Sequence, residues 1–250
     1  MRLSRVYVET LPEFSSDKVS LPVVTLPKET AHYLGNVLRM RVDDKLLVFN
    51  AERGEFLARV SAASKKSLDV ELCELRREPV DANAKDCLSI HLILGLSRGD
   101  RMDVAVQKST ELGVLQITPV YTEHGEVKLK MERAEKKLQH WRKIAISACE
   151  QSGRLDIPTI NNPLPLSEVN LGNGANKWML EPSGSDSLPV SITQKNIELL
   201  IGPEGGFSTG EIEWARKRDF TIVSLGSRIL RTETAPIAAL AILQHKFGDM

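Results

Sequence analysis

The sequence is poor in the residues that staple or metallate a fold. It holds three cysteines, Cys73, Cys87 and Cys149, with no CxxC spacing, and five scattered histidines. Neither a disulfide framework nor a metal site is expected from that pattern, and free thiols suit a reducing cytoplasm. Net charge is also lacking, because 33 basic side chains face 33 acidic ones. The basic excess of many nucleic-acid binders is therefore missing, and an RNA partner would need a local patch. Long apolar runs are absent too. The N-terminus, MRLSRVYVETLPEF, has no signal core, and the longest run, PIAALAIL, is far too short to span a bilayer. A cytoplasmic protein with no membrane partner is expected.

What is present is enough to build a core: 250 residues, 42% of them apolar. Residues 1–75 read as short β-prone segments around Val6–Val8, Leu46–Phe49, Glu55–Val60 and Leu68–Leu72. One helix, Lys28–Leu38, interrupts them with Ala31, Leu34 and Leu38 on one face. A small β-barrel carrying a helix fits this pattern. Residues 76–87, charged and without periodicity, read as a linker. From residue 88 the rhythm changes. Apolar strands (Leu88–Leu94, Val114–Tyr121, Trp178–Leu180, Ile197–Ile201, Thr221–Leu225) alternate with helices (Arg101–Leu112, Met131–Ser152, Thr232–Phe247). That alternation predicts an α/β domain with a mostly parallel sheet over 88–250.

Four motifs carry chemistry. Ile201-Gly-Pro-Glu-Gly-Gly-Phe207 follows an apolar strand and precedes Ser208 and Glu211, which are spaced as a capping box. Its glycines let backbone approach a ligand at the carboxyl end of a parallel strand, where α/β folds bind. It is neither the dinucleotide nor the P-loop fingerprint. Leu225-Gly-Ser-Arg-Ile-Leu-Arg-Thr-Glu-Thr-Ala235 repeats the strand–loop–helix order, with Thr232 or Thr234 as candidate caps and Arg228 and Arg231 in the loop. The plain alternative is that both arginines pair with surface carboxylates. KSTELG (108–113) and ACEQSGR (148–154) end helices at glycines and bring Glu111, Glu150 and Arg154. In the N-terminal domain, HYLGNVLRMR supplies Arg39 and Arg41, and the first strand supplies Arg2 and Arg5. These four are candidate phosphate contacts, with ordinary surface charge as the alternative.

Together, GPEGGF, LGSRILRTETA, KSTELGV, ACEQSGR and HYLGNVLRMR resemble, in order and spacing, the RsmE-type 16S ribosomal RNA (uracil-N3)-methyltransferases of the SPOUT superfamily. The resemblance covers nearly the whole chain. It implies a PUA-like β-barrel that holds RNA (1–75) and a SPOUT domain with a C-terminal trefoil knot (88–250). It implies S-adenosyl-L-methionine (SAM) as cofactor, a homodimer, and as substrate a decoding-region uridine of 16S RNA, methylated at N3 on the assembled 30S subunit. SAM would be held by Leu180, by Ile201, Gly202, Pro203, Gly205 and Gly206, and by Leu225, Gly226, Ile229, Leu230, Thr232, Thr234 and Ala235. Arg231 or Arg154 would stabilise charge on the uracil oxygens, and Glu204 or Glu233 would orient the base or take its proton. Family members usually have glycine before aspartate where this chain has Val42-Asp-Asp-Lys45, so that turn is expected to differ. Three other readings stay open from the residues alone. They are a Rossmann-type nucleotide enzyme, a non-catalytic RNA-binding module, and a metabolic α/β enzyme with a β accessory domain.

Overall fold

The computed structural model describes residues 3–14, 21–64, 67–80, 87–184, 186–189 and 191–250. The chain divides into two compact units. One is Met1–Asn83 with Cys149–Asp156, and the other is Ala84–Ala148 with Ile157–Met250.

In the first unit, strands β1 (Arg5–Tyr7), β2 (Val23–Thr25), β3 (Lys45–Asn50), β4 (Gly54–Ala63) and β5 (Leu68–Arg77) form one sheet in the order β1-β3-β4-β5-β2. Its buried face alternates along β3 and β4, where Leu46, Val48, Phe56, Ala58 and Val60 are fully buried. Helix α1 (Lys28–His32) passes into a π-helical turn, Tyr33–Val37. The expected stripe fails at its last residue for that reason. Ala31 and Leu34 are buried, but the wider π turn carries Leu38 round to solvent, 42% exposed. Arg76 and Arg77, read as linker, are the last residues of β5, with Arg77 paired in register with Glu55. In the turn at Val42–Lys45, Asp43 takes a left-handed φ of 73°, the conformation glycine adopts most readily.

The Cys149 thiol belongs to this unit, is buried, and is pushed up to about 12, chiefly by desolvation. Cys87 is exposed. Iodoacetamide at mildly alkaline pH is therefore expected to alkylate Cys87 in the native protein and Cys149 only after unfolding. Peptide mapping checks this, and rapid native labelling of Cys149 would contradict it.

The second unit is a parallel sheet. Strands β6 (Ser89–Gly95), β7 (Gln116–Tyr121), β8 (Thr159–Ile160), β10 (Asn176–Leu180), β11 (Asn196–Ile201) and β12 (Thr221–Val223) run in the order β12-β10-β11-β6-β7-β8. The short β9 (Leu164–Pro165) also pairs with β7. Helices α2 (Arg101–Glu111), α3 (Met131–Ser152), α4 (Thr209–Arg216) and α5 (Thr234–Phe247) follow the strands. Leu92, Leu94, Leu199 and Ile201 pack into one core cluster, while Ile93 and Leu200 between them pack into another. Both faces are covered, which is why these strands read as continuous apolar runs. On α3 the stripe Leu138, Trp141, Ala145 and Ala148 is buried as expected. Met131 is not: as the first residue of the helix it projects beyond the sheet and is 87% exposed.

One polar chain crosses this core. His91 Nδ1 lies 2.6 Å from Glu198 on the neighbouring strand. Its Nε2 lies 2.7 Å from the Thr118 hydroxyl, which accepts from Asn161, and Glu198 also accepts from the Gly172 amide at 2.8 Å. The imidazole meets the Thr118 hydroxyl through Nε2, whereas Glu198 Oε2 lies at ion-pair distance from Nδ1 without a well-directed hydrogen bond.

Candidate active site

Parallel register decides where the loops meet. Leu180 lies opposite both Ile201 and Val223, so β10, β11 and β12 end at one level and their loops open on the same edge. The loop after β10 is tied to β12 by the Glu181 amide on the Val223 carbonyl (3.0 Å) and the Ser224 amide on Asp186 (2.8 Å). Gly206 and Gly226 take left-handed φ values of 67° and 86°, which lets both connections turn sharply without a Cβ clash.

These loops enclose a cavity of about 380 Å³, within the range of small-molecule sites. The first contributes Leu180, Glu181 and Pro182. The second contributes Ile201, Gly202, Pro203, Glu204, Gly206 and Phe207. The third contributes Leu225, Gly226, Ile229, Leu230, Thr232 and Ala235, with Arg228 and Arg231. Most residues expected from the sequence to bind cofactor thus line one space. Gly205 and Thr234 do not. Gly205 faces His124, whose carbonyl oxygen a Cβ there would meet at 2.8 Å, and Thr234 is an exposed residue in the first turn of α5. Neither threonine caps that helix; Glu233 occupies the N-cap without a side-chain bond. The capping box on α4 does form. Ser208 accepts from the Glu211 amide, and Glu211 accepts from the Ser208 amide and, with its other oxygen, from Glu123.

The charges are unevenly satisfied. Among the described residues Arg228 and Arg231 meet no carboxylate, so the surface-pairing alternative does not hold for them. Arg101 pairs with Glu204 at 2.5 Å and lies 4.0 Å from Glu233. Glu181 accepts weakly from Ser183 (3.5 Å), and its other oxygen is buried with no partner. A buried carboxylate oxygen left unpaired is costly, so it marks a place for a donor or a cation. Arg101, Pro182 and Phe207 are lining residues that were not singled out from the sequence. The signal for Arg101 was available, because it opens the helix following β6, and ligands gather at the carboxyl ends of all adjacent parallel strands.

The remaining candidates lie elsewhere. Arg154 is outside the cavity, ion-paired to Asp156. Glu111 pairs with Lys108 at 2.8 Å. Glu150 accepts from the Tyr7 amide, and burial pushes its carboxyl above the usual range. Arg2 lies outside the described residues. Arg39 and Arg41 are exposed. Arg5, expected as a phosphate contact, is a buried clamp instead. It pairs with Glu55 at 2.6 Å, stacks 4.1 Å from the centre of the Phe49 ring, and donates to the carbonyls of Cys149, Glu150 and Arg154. Those bonds consume the donors a phosphate would need.

Comparison with known proteins accords with this arrangement. Residues 84–244 match the model of the RNA methyltransferase domain, and residues 26–73 that of the RNA methyltransferase PUA domain. Ribosomal RNA small subunit methyltransferase E of Buchnera aphidicola (subsp. Schizaphis graminum) is 37% identical, covering 100% of this chain and 98% of the relative. The Bacillus subtilis protein of that name is 30% identical over 90% of this chain and 91% of its own. Among solved structures, a ribosomal RNA small subunit methyltransferase E from Neisseria gonorrhoeae bound to S-adenosyl methionine aligns over 100% of both chains, at 36% identity and a TM-score of 0.84. A methyltransferase from Legionella pneumophila in complex with SAM aligns over 98% of both, at 37% identity and 0.85. Fold and site together define an RNA methyltransferase with a PUA domain. Within that class, the chain belongs to the ribosomal RNA small subunit methyltransferase E family.

Proposed function

We propose that this chain uses SAM to methylate N3 of a decoding-region uridine in 16S ribosomal RNA, working as a cytoplasmic homodimer on the assembled 30S subunit. The observation that carries this reading is the cavity at the carboxyl ends of β10, β11 and β12, in a chain that aligns end to end with a relative bound to SAM.

The residues present fit that cofactor. Its sulfonium and ammonium charges suit the unpaired oxygen of Glu181. Leu180, Ile201, Leu225 and Leu230 offer apolar walls for an adenine, and the Gly202–Gly206 backbone lets a ligand come close. When bound, SAM supplies an electrophilic methyl group. The protein's own residues must align the acceptor with it and keep water out. N3 of uracil carries a proton, so a base must remove it, and Glu204 at the cavity rim is the assigned acceptor. Arg231, which meets no carboxylate among the described residues, stabilises the negative charge that develops on the uracil oxygens. Arg154 is the alternative cation, acting from its own loop. Knotting of the loops between β10 and α5, an exception among folds, would fix the cradle. RNA would be gripped through Arg39, Arg41 and Arg2 of the PUA-like barrel.

Incubating unmodified 30S particles with SAM and protein, then mapping modified uridines by mass spectrometry, tests the reading; absence of any new N3-methyluridine would sink it. The cradle has its own test. A Cβ on Gly95 would lie 2.5 Å from the Pro203 nitrogen and 2.9 Å from the Gly202 carbonyl carbon, so Gly95→Ala must displace the second loop, which lines the cavity. Calorimetry is expected to find SAM bound at least about tenfold more weakly; unchanged affinity would mean the loop does not hold the cofactor.

A further inference from the structure

A second cleft, of about 660 Å³, adjoins the first. It is bordered by Arg98, Asp100, Arg101, His124, Glu126 and Glu204. Arg101 and Glu204 line both spaces, so their 2.5 Å ion pair forms the wall between them. At the outer edge Arg98 pairs with Glu126 at 2.8 Å, with both side chains about two-thirds exposed (68% and 64%). Exposed pairs of this kind are weak, so a phosphate can take the place of Glu126. The cleft also meets the start of α2, whose N-cap, Asp100, makes no side-chain capping bond. The Asp100 carboxylate offsets the positive end of the helix, so the arginines alone supply the charge a phosphate would meet.

We propose that this cleft seats the acceptor nucleotide, with its phosphate on Arg98 and its base against the Arg101–Glu204 wall, and that Arg101 is a further catalytic residue. The proposal rests on the methyl-transfer reading above and adds the acceptor's position to it. In the resting protein the Glu204 carboxylate is occupied by Arg101. A uracil entering the cleft offers a carbonyl oxygen beside an N–H. The planar guanidinium moves to that carbonyl, a geometry arginine suits and lysine does not, and Glu204 is freed to accept from N3. The N3–H bond breaks and its proton passes to the Glu204 carboxylate. The electron pair left on N3 forms the new bond to the methyl carbon, as the carbon–sulfur bond breaks and leaves its pair on sulfur as a neutral thioether. Arg101 stabilises the negative charge that the ring carries between these events.

The test separates binding from turnover. Affinity for unmodified small-subunit RNA is measured across a salt series with S-adenosylhomocysteine present, and SAM affinity is measured by calorimetry. Arg98→Ala is expected to keep SAM affinity within about twofold, weaken RNA binding, and reduce the salt slope by about one. Arg101→Ala is expected to lower kcat about 100-fold, with the loss shrinking as pH rises towards the range where free uracil ionises. Arg101→Lys is expected to recover little. If Arg98→Ala leaves RNA affinity and salt slope unchanged, or Arg101→Ala keeps kcat and its pH profile, the cleft is not the acceptor site. A wild-type protein that neither binds SAM nor methylates RNA would instead overturn the underlying reading, whatever the variants do.

Discussion

Arg5→Ala is expected to lower unfolding stability by about 3–5 kcal/mol, the usual cost of removing one partner from a buried ion pair. The side chains of Arg5 and Glu55 are each only 7% exposed. Truncation would leave the Glu55 carboxylate buried and uncompensated. It would also remove a donor from the Cys149 and Glu150 carbonyls in the last turn of α3, of which Cys149 keeps the Gly153 amide. Arg5→Lys should recover only part of the loss, since an ammonium cannot reach Glu55 and three carbonyls from one plane while covering Phe49. Urea unfolding monitored by tryptophan fluorescence measures the change. A midpoint close to the parent's would show that the clamp is dispensable. The same variants are expected to leave the salt dependence of RNA binding unchanged, which separates a structural arginine from a phosphate contact.

Arg231→Ala is expected to reduce kcat about 10²- to 10³-fold, the range seen when one preorganised donor to a developing oxyanion is lost. The guanidinium lines the cavity and meets no carboxylate among the described residues, so its charge is available to a ligand. Because that charge would act on the ring during transfer, SAM affinity should change far less than turnover. Single-turnover kinetics on 30S particles, beside calorimetry with SAM, reads both. Normal turnover in this variant would falsify the role given to Arg231.

Sequence periodicity located α3 to the residue, because its stripe of Leu138, Trp141, Ala145 and Ala148 repeats at helical spacing over many turns. The two ligand loops were equally legible. Glycines with left-handed torsions and a Ser208–Glu211 capping box are local devices, and local devices leave a local trace. Long-range partnerships leave none. Nothing around Arg5 announces that Glu55 and the end of α3 converge on it, so an arginine on a β-strand looked like an RNA contact. Arg101 could have been found from its place at the head of the helix after β6, but its pairing with Glu204, 103 residues away, could not. The π turn after α1 was unreadable because it shifts the phase by a fraction of a turn, enough to expose Leu38 without altering composition.

The His91–Glu198 pair also bears on how the strands align. His91 and Glu198 are direct cross-strand neighbours on β6 and β11. Sliding β11 by one position would set Ile197 or Leu199 against the imidazole and drive a carboxylate among leucines. The pair therefore acts as a detent that admits a single alignment of the two strands. Since Gly202 follows β11 directly, that alignment also dictates how far the glycine loop projects beyond the sheet, and so sets the depth of the pocket from four residues upstream.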